Sequence, residues 1–392
     1  MAAAYIVDAV RTAGGRRNGR LSQVSPADLG AVVIDALLER NDIDPALIED
    51  VIFGCVSQIG PQTFNLARTS ILASRLPVDV PGVTIDRQCG SGQQAIHFAA
   101  QAVMSGNQDV VIAGGAENMS MTPIGSPMDL AAKAGMRQPF DGKAISERYP
   151  GQDFSQFMGA ERMAQKYKVS RDELDEFAYQ SHMKGAAAYD ADRFADEIIP
   201  MTVEVEGKQV VHDVDEGLRR NADLDAIKGL EPLQEGGLIT AASASQICDG
   251  SAATLVVSER ALKKFGFTPL AKIHDMVVVG SDPTMVLEGP IPATHKILQR
   301  TGLKMDDLAV YEVNEAFGSV PLAWQKALGA DLERLNVNGG AQALGHPLGA
   351  TGAKLMATLA YELRRRKQRY GLLAICEGLG TANATIIENL QL

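Results

Sequence analysis

Two periods alternate along the chain, and together they predict an α/β protein. Tyr5–Val10 is a short apolar run of strand type. It is followed by Arg11–Gly19, a basic, glycine-rich loop that reads as a solvated turn. Ser25-Pro26-Ala27-Asp28 supplies a cap residue and a first-turn proline, and Leu29–Leu38 then repeats apolar residues at helical spacing. Val51–Cys55 returns to strand character. Val83-Thr84-Ile85 leads into Cys89-Gly90-Ser91-Gly92, and Ala95–Met104 reads as a small-residue, apolar helix. Asp109–Ala113 is a buried-type strand that ends in Gly114-Gly115-Ala116-Glu117-Asn118.

From Met119 to about Ser245 this rhythm fades and methionine, proline and charge become frequent. Within the stretch, Glu161–Tyr167 and Arg171–Tyr189 read as amphipathic helices, and Asp196–Val205 and Gln209–Val214 as short strands. It has the character of an insertion placed over a site, since long ordered excursions usually carry binding function. Regular α/β patterning resumes at Ala252–Ser258. The second half then echoes the first: aligned without a gap, Arg40 falls on Arg300 and Ile43 on Leu303. At the same displacement Cys89–Gly92 meets Gly349–Gly352, and each is followed by a small-residue helix, Ala353–Leu363 in the second case. With a small drift, the strand Val110–Ala113 meets Leu372–Ile375. One βα-rich unit is therefore expected twice, its copies related by a pseudo-two-fold axis that lets corresponding strand ends converge.

Composition narrows the possible functions. The 392 residues leave room for two or three domains and a large core. A net charge of −11 argues against non-specific nucleic-acid binding. The four cysteines, Cys55, Cys89, Cys248 and Cys376, form no CxxC pair and match neither a disulfide framework nor a zinc module. The N-terminus lacks a secretory pattern, no apolar run is long enough to span a bilayer, and the C-terminus is not a peroxisomal address, so the cytosol is expected.

The chemistry gathers in four stretches. Cys89 is expected at a helix N-terminus, where free N–H groups and the positive end of the helix dipole favour a thiolate. A lone cysteine there is also compatible with plain packing. Val313-Asn314-Glu315-Ala316-Phe317-Gly318 ends a strand in polar residues, and a helix cap at Asn314 is the simpler reading. His346 stands between glycine and proline in a glycine-rich loop that opens a helix, a poor place for a packing residue. Cys376 closes a buried-type strand ahead of Glu377-Gly378-Leu379-Gly380. Two thiols and an imidazole suit nucleophilic and acid–base chemistry, with glycine N–H groups for a developing oxyanion. A zinc site from Cys89, Cys376 and His346 is conceivable but lacks a local ligand pair.

These four blocks, Cys89-Gly-Ser-Gly, Asn314-Glu-Ala-Phe, Gly345-His346-Pro347 and Cys376-Glu-Gly-Leu-Gly, resemble those of the thiolases, and more narrowly the 3-ketoacyl-CoA thiolases (acetyl-CoA acyltransferases). The resemblance covers essentially the whole chain. It implies the thiolase fold: a duplicated five-layer αβαβα arrangement with an inserted loop domain. Residues 1–118 plus 246–270 would form the N-terminal half, 119–245 the loop domain, and 271–392 the C-terminal half. It further implies ping-pong thiolytic cleavage of a 3-oxoacyl-CoA by CoA, or the reverse Claisen condensation. Cys89 would carry the acyl thioester, His346 would activate it, and Cys376 would act as acid and base. His346 with a water held by Asn314 would form one oxyanion hole, and the N–H groups of Cys89 and Gly378 the other. Ser245 and Arg219 would lie along the pantetheine arm and nucleotide of CoA, a co-substrate, with no cofactor permanently bound. The methionine-rich stretch Met119–Met163 would line the acyl tunnel, and a homodimer or homotetramer is implied.

Two departures from the family pattern stand out. Leu379 occupies a position where glycine is usual. As a leucine it is expected to resist a positive φ and to narrow the acyl pocket. Gln342 replaces an aliphatic residue near His346 and is expected to alter that loop's hydrogen bonds. Three other readings remain open at this level: an acetoacetyl-CoA-forming biosynthetic thiolase, a decarboxylating ketoacyl synthase, and a non-catalytic acyl-CoA or lipid carrier.

Overall fold

The structure, a computed structural model, describes residues 2–152 and 154–392. The first half contributes five strands, β1 (Ala4–Thr12), β2 (Asp50–Gly54), β3 (Gly82–Ile85), β4 (Val110–Asn118) and β5 (Cys248–Ser258). They lie in the order β3-β2-β4-β5-β1. The first three are parallel, and β5 runs antiparallel to both of its neighbours. The second half supplies β6 (Ala271–Gly280), β7 (Leu308–Val313), β8 (Tyr370–Glu377) and β9 (Thr381–Glu388), ordered β7-β8-β9-β6, with β7 and β8 parallel and β9 antiparallel. The two arrays join where β1 and β6 pair at Tyr5–Lys272 and Ile6–Ala271. All nine residues of β4 are buried, as expected of a strand covered on both faces. The strand also runs on through Gly114–Asn118, which the apolar pattern alone read as its end.

Helices α1 (Pro26–Arg40), α2 (Ser91–Ser105), α3 (Pro290–Thr301) and α4 (Thr351–Arg366) complete five layers. The equivalent helices α2 and α4 pack on each other between the arrays, α2 against β2, β4 and β5, and α4 against β1, β5, β7 and β8. Helix α1 covers the outer face of the first array and α3 that of the second. The observed architecture is the duplicated α/β arrangement that the internal repeat implied. Small residues make the central layer possible: Ala95, Ala99, Ala353, Ala357 and Ala360 are fully or almost fully buried where the two helices meet the sheets.

The inserted segment folds as helices Gln156–Lys166 and Arg171–Asp190 and a hairpin, Met201–Val205 with Lys208–His212. Ser170 starts the longer helix with a capping box that includes Glu173. The segment is tied to the core by charge as well as packing. Arg11, expected in a solvated turn, is instead fully buried. It donates to Glu197 at 2.6 Å and to Asp215 at 2.9 and 3.1 Å, and its guanidinium lies 5.0 Å from the Phe194 ring centre. The loop pattern concealed this because Arg11 is still inside β1, whose side chains meet the returning insertion. Asp215 accepts further hydrogen bonds from the Gly14 N–H and the Tyr189 hydroxyl, and its carboxyl is held far below the usual range because Arg11 and Lys354 outweigh burial.

A second buried polar set sits between α2 and β9. Gln93 and His97 both meet the Thr385 hydroxyl at 2.7 Å, and the Asn383 amide reaches Gln94 and His97. Burial, reinforced by Arg87, pushes the His97 ring down to about 3, so it is neutral in the folded protein.

Removing Arg11 strands two carboxylates in the interior, so Arg11→Leu should cost about 3–5 kcal/mol of stability, read as a lowered unfolding midpoint in calorimetry. For His97 the folded value lies below the unfolded one, near 6.5, so the unfolded chain binds a proton first as pH falls. Thermal stability should therefore drop as pH falls from about 6.5 toward 3, and His97→Gln should flatten part of that slope.

Candidate active site

Cys89 is delivered by a sharp turn between β3 and α2. Asp86 accepts from the Gln88 N–H at 2.6 Å, and Gln88 itself sits at φ +48°, a left-handed conformation that a non-glycine residue rarely holds. The Ser91 hydroxyl then locks the turn, accepting from the Arg87 N–H and donating to the Gln88 carbonyl. Cys89 consequently stands just ahead of Gly90, the N-cap of α2, half-buried and unpaired. The helix-N-terminus placement agrees with the sequence. Its charge state does not follow from the helix alone, because burial first and Glu377 second push the thiol up to about 12.

His346 is fixed from the second half. The Thr351 hydroxyl donates to the Pro347 carbonyl at 2.8 Å, which leaves its oxygen to accept from Nδ1–H of His346 at 2.5 Å. This assignment leaves the Nε2 lone pair as an acceptor, taking a hydrogen bond from the Asn314 amide at 3.3 Å. Burial, with Lys354 nearby, holds the ring down to about 3, so it is a neutral imidazole. Lys354 also donates to the carbonyls of Leu344 and Gly345, which pins the backbone immediately before the histidine. Asn314 does not cap a helix; the following helix, Ser319–Leu328, is capped by Gly318. Its N–H binds the Ala374 carbonyl at 3.1 Å, docking it against the strand that carries Cys376. Cys376 is fully buried, and its thiol is raised well above the ordinary range, chiefly by burial and then by the charge of Cys89.

What brings the halves together is backbone on backbone. The Gly349 carbonyl lies so close to Gly54, Gly92 and Gly115 that a Cβ on any of them would overlap it. Glu117 anchors the same loop. Its carboxylate accepts from the N–H groups of Gly349, Val56 and Ser57 at 2.9, 2.9 and 3.0 Å and from the Gln62 amide at 2.8 Å. Asn314 thus joins the His346 loop to the strand that carries Cys376, and Gly349 sets the same loop against Gly92 at the start of the helix that Cys89 precedes. Gly378 lies beside the Gln88 side chain, the nearest group a Cβ there would meet.

Leu379 departs from expectation: it does adopt a left-handed backbone, φ +64° and ψ +20°, and is 45% exposed. A leucine accepts that conformation at a cost of roughly 1–2 kcal/mol, and its side chain points substantially to solvent. Gln342 is buried with neither side-chain polar atom partnered among the described residues. Its backbone bonds instead to Glu315 and Gln246. Arg219 and His182 share a wall of a cavity of about 410 Å³ with Ala242 and Gln342, and the Arg219 N–H binds His182 Nδ1 at 3.1 Å. Ser245 sits beside that wall, its N–H on the Ala316 carbonyl. The methionines of the inserted segment scatter: Met163 is in the core, whereas Met128 and Met136 are exposed.

Sequence reasoning passed over Thr351, Glu117 and Asp86. Thr351 carried a usable signal, since the repeat sets it opposite Ser91, and both hydroxyls bond back to a carbonyl one turn earlier.

The site and fold define an acyl-transfer enzyme built on a duplicated α/β unit. A family model for the thiolase N-terminal domain matches residues 4–260, and one for the thiolase C-terminal domain matches residues 267–389. The chain belongs to the thiolase family. Thiolases are acyltransferases that work through a cysteine thioester, and the reaction class here is thiolytic cleavage of a 3-ketoacyl-CoA. The chain is 52% identical to the steroid 3-ketoacyl-CoA thiolase FadA6 of Mycobacterium tuberculosis, over all of this chain and 95% of that protein. It is 41% identical to the 3-oxoadipyl-CoA/3-oxo-5,6-dehydrosuberyl-CoA thiolase of Escherichia coli over the full length of both, and 39% identical to a 3-ketoacyl-CoA thiolase of Yersinia enterocolitica over 98% and 99%.

Thr351→Val keeps the shape of the helix start but removes the acceptor for Nδ1–H. Turnover should fall about 100-fold with little change in thermal stability, measured by steady-state thiolysis beside calorimetry.

Proposed function

We propose that Cys89 is the acyl-carrying nucleophile, His346 its proton acceptor and Cys376 the second acid–base group. The observation that supports this reading is the Asn314–His346 contact at 3.3 Å, with Asn314 docked on the strand of Cys376 and Gly349 set against Gly92 at the start of α2, the helix that Cys89 precedes. At rest, burial keeps both partners neutral, a thiol and an imidazole. Proton transfer from Sγ to Nε2 then waits for substrate, whose carbonyl takes up the negative charge as sulfur attacks. The Cα–Cβ bond of the 3-oxoacyl group breaks, and Cys376 gives its proton to the departing acetyl-CoA enolate. In the second half-reaction, Cys376 takes the proton of an incoming CoA thiol, whose thiolate removes the acyl group from Cys89, and the proton held by His346 returns to the released Cys89 sulfur. Asn314 and His346 stabilise one carbonyl oxygen, and the N–H groups of Cys89 and Gly378 the other.

The cavity lined by His182 and Arg219 suits CoA, with Ser245 beside the pantetheine arm and the arginine toward the nucleotide. No permanently bound cofactor enters this scheme. The 52% identity to a steroid thiolase favours a ring-derived 3-oxoacyl-CoA, ahead of a linear chain, as substrate. Degradative cleavage follows from the same likeness. No described helix is long and apolar enough to cross a membrane, in keeping with a cytoplasmic enzyme. Strand β3 is an outer strand of the sheet, flanked by exposed Phe64, Leu72, Val78 and Val83, a surface that suits pairing with a second copy. A homodimer through this edge, or a pair of such dimers, is the assembly we favour.

Cys89→Ala should abolish the covalent acyl adduct seen by mass spectrometry after incubation with a 3-oxoacyl-CoA. An adduct that persists in this variant sinks the assignment. Cys376→Ala should still acylate from a simple acyl-CoA but lose thiolysis by about 100- to 10,000-fold, the usual worth of a general acid–base group. A kinetic panel of linear and ring-derived 3-oxoacyl-CoAs decides the substrate class.

A further inference from the structure

Glu377 stands directly after Cys376 and has no part in the scheme above. Because successive strand residues face opposite ways, its side chain leaves β8 on the side away from the Cys376 sulfur. It is fully buried, and neither carboxylate oxygen has a hydrogen-bond partner of good geometry among the described residues. The carboxylate is pressed onto Gly90, where any Cβ would overlap it. Glu377 thus lies at the N-terminus of α2, the same helix end that Cys89 precedes.

The surroundings explain why it is held there without a counter-charge. Arg87 and Asp86 face it from the turn before Cys89 with opposite effects. Cys89 and Cys376 flank it, and the Thr381 hydroxyl and Asn383 N–H from β9 favour its charge, though not enough to outweigh burial. Arg87 leaves its own buried Nε unpartnered and forms no close ion pair with it. A negative charge on Glu377 opposes a negative charge on Cys89, and both compete for the positive end of α2.

We propose that Glu377 is a positioning residue for charge at Cys89: its neutral carboxyl leaves the helix N-terminus free to stabilise the thiolate, and its ionised form holds the proton on the thiol. This deepens the reading of Cys89 as the nucleophile and rests on it. Burial pushes the carboxyl up to about 8, so the permissive neutral form prevails at neutral pH and is lost above it.

The test is the pH profile of Cys89 alkylation by iodoacetamide in the full-length protein, followed by peptide mass spectrometry. Wild type is compared with Glu377→Gln and with the apolar Glu377→Met, each checked for native thermal unfolding. Both variants should lower the apparent ionisation of Cys89 by about one unit, since a charge a few ångströms away at the helix end is removed. Above about pH 8, where the wild-type carboxylate is ionised, alkylation should then quicken about threefold, the lower nucleophilicity offsetting part of the thiolate gain, and below that pH it should match wild type. An unchanged or raised Cys89 profile in a folded variant overturns the proposal. Should neither variant fold, the wild-type profile decides. It should show two inflections, the lower near 8, and a single inflection overturns the proposal. Acyl-adduct formation in wild type against Cys89→Ala judges the nucleophile separately, so failure of one reading is not mistaken for failure of the other.

Discussion

The approach of Gly349 to three glycines of the first half is the constraint on which the rest of the site depends. Its carbonyl fits against Gly54, Gly92 and Gly115 only because none of them has a Cβ. Two strands and the helix that follows Cys89 therefore accept the His346 loop as a fourth wall. Glu117 secures the contact from below, spending its buried carboxylate on three backbone N–H groups from two separate loops. Burial of that carboxylate is unfavourable in itself, and the hydrogen bonds offset it. A side chain at any of these glycines would move the histidine relative to the sulfur, and acid–base catalysis is lost with displacements of about 1 Å.

Around this seam the protein keeps its reactive groups uncharged and its structural groups charged. Arg11, Asp215, Glu197 and Lys354 form a buried ionic cluster that ties β1, α4 and the insertion together. Lys354 extends it to the backbone preceding His346. Cys89, Cys376, His346 and Glu377, in contrast, form no close ion pair among the described residues, and burial drives each toward its neutral form. A site of this kind stores little charge at rest and responds strongly to the charge that a reacting carbonyl develops.

Much of this was legible along the chain. The strand–helix alternation, the cap at Ser25 and the repeat that aligns Arg40 with Arg300 are local patterns, and they place the elements within a few residues. The four motif blocks singled out the residues proposed here as reactive, because glycine and proline beside a cysteine or histidine have little packing purpose. Arg11 was misread because a basic residue before glycines looks solvated until the insertion folds back over it. Leu379 was misread for the opposite reason: intrinsic preference disfavours its backbone, and the hairpin between β8 and β9 imposes it.

By itself the sequence determined the elements, their duplication and the identity of the chemical groups, since these follow from short-range periodicity and residue type. Only the tertiary structure decided how those groups behave. The hydrogen bond from His346 to Thr351, the docking of Asn314 on Ala374 and the pressure of Glu377 on Gly90 join residues whose partners lie on other elements or on the far side of a turn. Protonation is settled the same way, because desolvation and neighbouring charge belong to the packed interior and not to any one segment.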